Sequence, residues 1–249
     1  MPDLSSPFVW TAAVAAALCV GMAKTGFAGL GIVSVSLFAQ LFPARESTGA
    51  LLPLMIFADF FAVFFYRLHA NWKDLRKLLP ATFAGIIAGW LTMPLIPDRQ
   101  FTRLLGCLIL ALMALTVWQR RYPGMSGRAA EHPLLGVSAG VAIGIATMLA
   151  NAAGAITAFY FLARRMDKTT FVGTAAWFYL IVNLSKVPFS IQLNLINPAS
   201  LSFDLMLLPV VALGCAAGRL LLRSVPQQLF ERITIATASA AALRLILTA

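Results

Sequence analysis

The chain has 249 residues, of which 60% are hydrophobic and 11% are charged, and its formal net charge is +10. A soluble domain of this size could not hide so much apolar surface, so the composition predicts an all-α polytopic membrane protein. The basic residues lie in short gaps between apolar runs, which argues against a nucleic-acid partner and favours contact with membrane lipid.

Ten apolar runs follow one another along the chain. They cover residues 8–22, 29–42, 48–66, 78–96, 101–118, 134–149, 152–163, 171–190, 203–222 and 229–248. A helix needs about 20 residues to cross the hydrocarbon core of a membrane, which is ~30 Å thick. The first two runs and the sixth and seventh are shorter than this. These two adjacent pairs are expected either to cross the membrane as short broken helices or to enter it and turn back, and the sequence leaves both open.

The second half of the chain repeats the first. Matching residues are 123 positions apart at first, 124 after one inserted residue, and 129 after a longer insertion near residues 191–200. The matched pairs are Gly21 and Gly144, Gly31 and Gly154, Gly49 and Gly173, Asp59 and Asn183, Pro80 and Pro209, Gly85 and Gly214, Gly89 and Gly218, Pro97 and Pro226, Phe101 and Phe230, and Arg103 and Arg232. This ordered series indicates an internal duplication, with a first transmembrane repeat (1–118), a cytoplasmic linker (119–133) and a second transmembrane repeat (134–249).

Each repeat contains five runs, so the second repeat should enter the membrane from the opposite face. The loops after runs three, five, seven and nine contain eleven basic residues, and the loops on the other side contain three. Basic residues are enriched in cytoplasmic loops. We therefore expect two inverted five-segment repeats, cytoplasmic odd-numbered loops and both termini on the outside.

Glycines interrupt the short runs at corresponding places in the two repeats, a pattern that indicates the central site of a transporter. In AKTGFAGLG (23–31) the break leaves free N–H groups, which attract anions together with the helix dipole. The candidate substrate-binding residues at the two breaks are Lys24, Thr25 and Gly26, and Asn151 and Gly154. The alternative is that Lys24 reaches the membrane interface and the glycines only permit close helix packing.

Two ionisable residues lie inside apolar runs. Lys186 lies in TAAWFYLIVNLSKVPF (174–189), where Thr174 and Asn183 are candidate hydrogen-bond donors to the substrate. A lysine within a membrane helix is costly and is a functional candidate unless it extends outward to the interface. Asp59 is the coupling candidate, because an anion could compete with it for Lys24 or Lys186, and protonation of Asp59 would release the cation. The alternative is that Asp59 only forms a hydrogen bond between helices.

No enzyme or metal signature is present in the sequence. It contains no HExxH, GxSxG or phosphate-binding loop, and its three cysteines and two histidines are not at metal-ligand spacings. We therefore expect no enzymatic activity, no catalytic residue, no metal and no cofactor. The sequence leaves open a passive anion channel in place of a carrier, and a homodimer in place of a monomer.

Five segments resemble the sulfite exporter TauE/SafE family: KTGFAGLG, ALLPLMIFADFFAVFFYR, LANAAG, DKTTFVGTAAWF and VNLSKVPF. The likeness covers nearly the whole chain and both repeats. It implies a multi-pass carrier of the bacterial inner membrane that exports a small anionic substrate such as sulfite, sulfoacetate or a related organosulfonate. Export by alternating access is expected, and a carrier of another small organic anion is the alternative.

Overall fold

A computed structural model describes residues 6–26, 30–42, 44–95 and 133–226, together with eight separate positions between 228 and 243. The fifth predicted run, nearly all of the linker and most of the tenth run lie outside the described residues. The four other runs of the first repeat and the four other runs of the second repeat can be compared with the structure.

The described residues form nine α-helices and a short 3₁₀ helix (Arg67–His69), with no strand among them. The helices are α1 (Pro7–Thr25), α2 (Leu30–Leu41), α3 (Ala44–Ala50), α4 (Leu52–Tyr66), α5 (Trp72–Thr92), α6 (Pro133–Ala150), α7 (Gly154–Ala163), α8 (Lys168–Gln192) and α9 (Pro198–Ser224). This part of the chain is all-helical, as the sequence predicts.

Four helical segments are long and apolar enough to cross a membrane. They are Pro7–Thr25, Glu46–His69, Lys168–Gln192 and Ser200–Ser224. A fifth apolar helix, Leu134–Ala150, is shorter. The second segment includes most of α3 and all of α4, and these two helices meet at Leu51, two residues before Pro53. By length and composition, the chain is a multi-pass membrane protein.

Only the second helix of each predicted short pair is short. Helices α1 and α6 contain 19 and 18 residues, whereas α2 contains 12 and α7 contains 10. At 1.5 Å per residue, α2 and α7 are about 18 Å and 15 Å long. Helix α1 continues past the predicted end at residue 22 because its last polar side chains find partners inside the protein. The Thr25 hydroxyl, for example, lies within hydrogen-bond distance of two carbonyl oxygens, that of Gly21 one turn earlier (3.0 Å) and that of Cys215 in α9 (2.8 Å), and donates its one hydrogen to either.

Helices α4 and α8 form an antiparallel pair in the middle of the fold. Gly49, before α4, lies against the backbone of Leu195, after α8, and a Cβ atom on Gly49 would clash there. At the other end of the pair, a Cβ atom on Gly173 would lie 2.9 Å from the Tyr66 carbonyl oxygen. The pair therefore runs from one end of the described bundle to the other.

Two further helix pairs pack closely and in parallel, with glycines at the contact. A Cβ atom on Gly21 of α1 would clash with the backbone of α9 near Gly214. A Cβ atom on Gly144 of α6 would clash with the backbone of α5 near Gly85. In a membrane, such small residues allow two backbones to approach and gain van der Waals contact.

Candidate functional site

A central cavity of about 50 Å³ lies between the two breaks. Its lining includes Lys24 at the end of α1, Thr147 and Asn151 at the end of α6, and Tyr179 and Asn183 on α8. A cavity needs about 10–15 Å³ to hold one water molecule, so the central cavity has room for only a few small groups. Lys24, Asn151, Gly154 and Asn183 of the sequence-predicted site all line it.

Lys24 forms a buried ion pair across the bundle with Asp59 of α4. Its ammonium nitrogen lies 2.9 Å from Asp59 Oδ1, and the two side chains are 11% and 0% exposed. The same ammonium lies 4.2 Å from the centre of the Tyr179 ring, within range of a cation–π interaction. Asn183 Nδ2 donates to the other carboxylate oxygen of Asp59 at 2.7 Å. Lys24 is therefore paired inside the protein and does not extend to the interface.

Lys186 of α8 is also buried, at 2% exposure. Its ammonium donates to Asn151 Oδ1 at 2.6 Å and to Thr147 Oγ1 at 3.2 Å. Both acceptors are uncharged, and both line the central cavity. In the part of the chain that the structure describes, Lys186 has no carboxylate within ion-pair distance. The ammonium thus lies just behind the cavity wall, held by two neutral side chains.

Asn151 has a left-handed backbone, with φ of 50°, at the break between α6 and α7. Asparagine tolerates this conformation better than most residues other than glycine. The side chain accepts from Lys186, as above, and its Nδ2 donates to the Thr48 carbonyl at 2.8 Å. Asn151 therefore connects the second break to Lys186 and to α3 of the first repeat.

The starts of the two short helices meet at the central cavity. Gly31, in the first turn of α2, and Gly154, the first residue of α7, both line it. The first N–H groups of a helix have no acceptor within the helix, and they carry the positive end of its dipole. Two helix starts, the buried Lys186 and the largely buried Lys24 therefore make the surroundings of the cavity electropositive, which suits a small anion.

Three sequence-predicted site residues lie away from the cavity lining. The Thr25 hydroxyl donates to the Cys215 carbonyl of α9 at 2.8 Å, and the Gly26 N–H donates to the Met22 carbonyl at 2.9 Å. Thr174, in the first turns of α8, accepts from the Asn71 N–H at 2.9 Å. Thr174 precedes Lys186 by twelve residues, or about 18 Å along a helix. These residues contribute to helix packing in this conformation.

Sequence reasoning missed two residues of the lining that have hydroxyl groups and two buried carboxylates. Thr147 and Tyr179 line the cavity, but an uncharged residue in an apolar run gives no signal of its own. Asp204, in the ninth run, is 2% exposed, and the acidic residue in SFDLMLLP was the signal for it. Asp74 is 1% exposed and lies 3.0 Å from the Arg164 guanidinium (Oδ1 to Nε).

The described residues hold no group of three or more histidine, cysteine or acidic side chains that could bind a metal ion. The charged groups around the cavity are lysines and one paired carboxylate, and the other polar groups there are hydroxyls and amides. Groups of these kinds interact with anions by charge and by hydrogen bonding.

A membrane transport protein typically combines apolar spanning helices with two helix breaks that meet at a cavity and with cations inside the protein beside that cavity. The model of the sulfite exporter TauE/SafE family matches residues 13–245, and the chain belongs to this family of membrane transporters. Comparison with curated proteins and with solved structures finds no match. The family implies membrane transport of sulfur-containing anions such as sulfite.

Proposed function

We propose that the protein is a secondary transporter that exports small sulfur-containing anions, such as sulfite, sulfoacetate or related organosulfonates, by alternating access. The observation that carries the proposal is the meeting of two helix starts, Lys24 and the Lys186–Asn151 pair at one cavity. We further propose that it acts in the bacterial inner membrane with both termini in the periplasm, in keeping with the bias of its basic loops. On this proposal it has no enzymatic activity.

In the proposed binding mode, the anion occupies the central cavity between the starts of α2 and α7. Thr147 accepts a hydrogen bond from Lys186, so its own hydroxyl hydrogen is free to point at the anion. Lys24, which lines the cavity, adds a second ammonium. Asp59 competes with the anion for Lys24, and protonation of Asp59 would release that lysine.

The proposed inverted repeat is supported by a helix contact that occurs twice, with the roles of the two repeats exchanged. Gly21 lies against Gly214, whereas its counterpart Gly144 lies against Gly85, the counterpart of Gly214. The counterparts α4 and α8 run antiparallel, as inversion requires. Such an arrangement would let one half rock against the other around a fixed site.

A contact between the two halves lies away from the cavity, at the end of the bundle where α8 begins. There Asp74 of α5 pairs with Arg164, which follows α7, and Asn71 holds Asp74 through a hydrogen bond from Nδ2 to Oδ2 (2.7 Å). On the proposed topology this end faces the cytoplasm. We propose that this ion pair helps to close the cytoplasmic side in the described conformation and separates when that side opens.

The test is uptake of labelled sulfite and labelled sulfoacetate into proteoliposomes, with and without a pH gradient. We expect saturable uptake that unlabelled substrate inside the vesicles accelerates, and a dependence on pH that Asp59→Asn removes while transport continues. Uptake without saturation or counterflow would favour a channel. If neither anion moves through the folded protein, the proposed function is wrong.

A further inference from the structure

Two phenylalanines lie at equal steps on either side of the contact between Asp59 and Asn183. Phe65 follows Asp59 by six residues in α4, and Phe189 follows Asn183 by six residues in α8, which is about 9 Å along each helix. The two phenylalanines are counterparts in the repeat, 124 residues apart. Because α4 and α8 run antiparallel, each phenylalanine lies between the level of the central cavity and a different end of the bundle.

The partners of the two phenylalanines are also counterparts, but they differ in charge. The central carbon of the Arg219 guanidinium, on α9, lies 4.2 Å from the centre of the Phe65 ring. Its counterpart, 129 residues earlier, is Trp90 of α5, whose ring centre lies 5.4 Å from that of Phe189. The same contact thus occurs twice, with a cation towards one end of the bundle and an uncharged ring towards the other. On the proposed topology, the end with the cation is cytoplasmic.

Arg219 lies beside the end of α1 that contains Lys24. A Cβ atom on the neighbouring Gly218 would clash with the Thr25 hydroxyl. From α4, the Tyr66 hydroxyl donates to the Thr25 carbonyl at 3.1 Å. The contact between α4 and α9 therefore adjoins the residue that follows Lys24, a lining residue of the central cavity.

The Arg219 guanidinium is half-buried and has room for an anionic partner. In the part of the chain that the structure describes, it contacts the face of the Phe65 ring, with neither a carboxylate nor a hydrogen-bond acceptor within bonding distance. Arginine stays charged in proteins, and stacking on a ring leaves its N–H groups, which lie in one plane, free to donate. Such a planar fork binds the oxygens of an oxyanion through paired hydrogen bonds. A charge within a membrane helix is costly, and an anion would relieve that cost.

We infer that Arg219 is a second binding site for the substrate anion, between the cytoplasm and Lys24, and that Trp90 at the corresponding outer place provides no such site. The inference rests on the proposed function and adds a residue to the path of the same sulfite or sulfonate substrate. The anion pairs with Arg219 as it enters from the cytoplasm and then passes to Lys24 in the central cavity. The protein therefore holds the anion more tightly on the cytoplasmic side than on the outer side.

The experiment measures uptake of labelled sulfite into membrane vesicles of both orientations, prepared from cells that produce the full-length protein. Inside-out vesicles present the cytoplasmic face to the label, and right-side-out vesicles present the outer face. We expect Arg219→Gln to raise the half-saturating sulfite concentration at the cytoplasmic face by about tenfold or more, because hydrogen bonds from a charged group are lost. The half-saturating concentration at the outer face should change little.

Further variants make the test specific to the charge and to its position. Arg219→Lys keeps the charge and should raise the cytoplasmic half-saturating concentration less than Arg219→Gln does. Arg223→Gln removes a positive charge one turn later in α9, where the side chain is exposed and water screens it. It should leave the values at both faces nearly unchanged. Arg219→Met, which also removes the charge, takes the place of Arg219→Gln if the latter does not accumulate in the membrane.

The outcomes separate this inference from the proposed function. If the wild type carries sulfite but loss of the Arg219 charge leaves the cytoplasmic value unchanged, or raises the values at both faces equally, Arg219 is not this site and the anion transporter still stands. An equal effect of Arg223→Gln overturns the inference in the same way. If the folded wild type carries neither sulfite nor sulfoacetate from either face, the proposed function fails and the inference fails with it.

Discussion

Asn151 combines a backbone requirement with a side-chain requirement at one position. Its φ of 50° is a conformation that costs a residue with a branched or bulky side chain of order 1–2 kcal/mol. Its amide accepts from Lys186 and donates to Thr48. Glycine would satisfy the backbone but not the lysine, and alanine would satisfy neither. Two substitutions can therefore separate the two requirements.

We expect Asn151→Gly to keep most of the stability and to lose most of the transport, because Lys186 loses its closest hydrogen-bond acceptor. Asn151→Ala should lose transport as well and should be less stable than the glycine variant by about 1 kcal/mol. Thermal unfolding in detergent and uptake into proteoliposomes measure the two effects.

Asn194 provides the control, because it has a φ of 55° but lies at the exposed end of α8. Asn194→Gly should leave transport unchanged. Equal losses of transport in Asn151→Gly and Asn194→Gly would show that glycine at either turn impairs transport and that the loss is not specific to the contact with Lys186.

At this scale the sequence reveals charged residues and little else of the site. Lys24, Lys186 and Asp59 can be recognised because a charge inside an apolar run is rare and costly. Tyr179 and Thr147 cannot, since hydroxyl-bearing residues are common in such runs and their role depends on which helix faces them. The run that Thr174 shares with Lys186 makes it a candidate, but a helix places the two residues far apart.

At the scale of helices, the close pairs α1–α9 and α5–α6 depend on glycine at the point of contact. The backbone of α5 lies where a Cβ atom on Gly144 would be. Gly136, two turns earlier on the same helix, has open space by comparison, since a Cβ atom there would lie 3.6 Å from the Tyr160 hydroxyl oxygen. The two glycines therefore differ in packing but share one helix.

We expect Gly144→Ala to destabilise the protein by about 1–3 kcal/mol, because the added methyl group forces α5 and α6 apart. Gly136→Ala should be neutral or stabilising by up to about 1 kcal/mol, since alanine favours the helix. Thermal unfolding of the two purified variants under the same conditions measures the difference. Similar unfolding temperatures for both would show that α5 and α6 can separate without cost.

The apolar runs predict where helices lie but not where each helix ends. The end of α1 falls three residues beyond the predicted run because Thr25 bonds within the protein, and hydropathy does not contain this information. Helices α2 and α7 are short as predicted, since the glycine-containing breaks precede them in both repeats. The pairing of α1 with α9 depends on tertiary contact and is not visible in the sequence.

At the scale of the whole molecule, the hydrogen bond between Asp59 and Asn183 joins two residues that are counterparts in the repeat. In any arrangement with two-fold symmetry, a residue that contacts its own counterpart lies beside the axis. If that axis lies in the membrane plane, Asp59, Asn183 and the central cavity lie near half the depth of the membrane. The duplication is visible in the sequence, but this contact between its copies is not.

Inversion can be tested with one loop position from each repeat. Leu68 follows α4 and is 87% exposed, and the exposed Asn197 follows α8. Because α4 and α8 are antiparallel, these two positions lie at opposite ends of the pair. An inverted repeat places them on opposite faces of the membrane, whereas a repeat in the same orientation places them on one face.

We expect a cysteine at Leu68 to react with a membrane-impermeant maleimide only after the cells are opened, and a cysteine at Asn197 to react in intact cells. The background should have Cys19, Cys107 and Cys215 replaced by alanine and should still transport. A cysteine at Gly127, in the sequence-predicted cytoplasmic linker outside the described residues, should behave as Leu68→Cys does. The excess of basic residues in the loops after runs three and five supports this assignment of sides. Labelling of Leu68→Cys and Asn197→Cys from the same side would contradict the inverted repeat, and with it the alternating-access mechanism that depends on it.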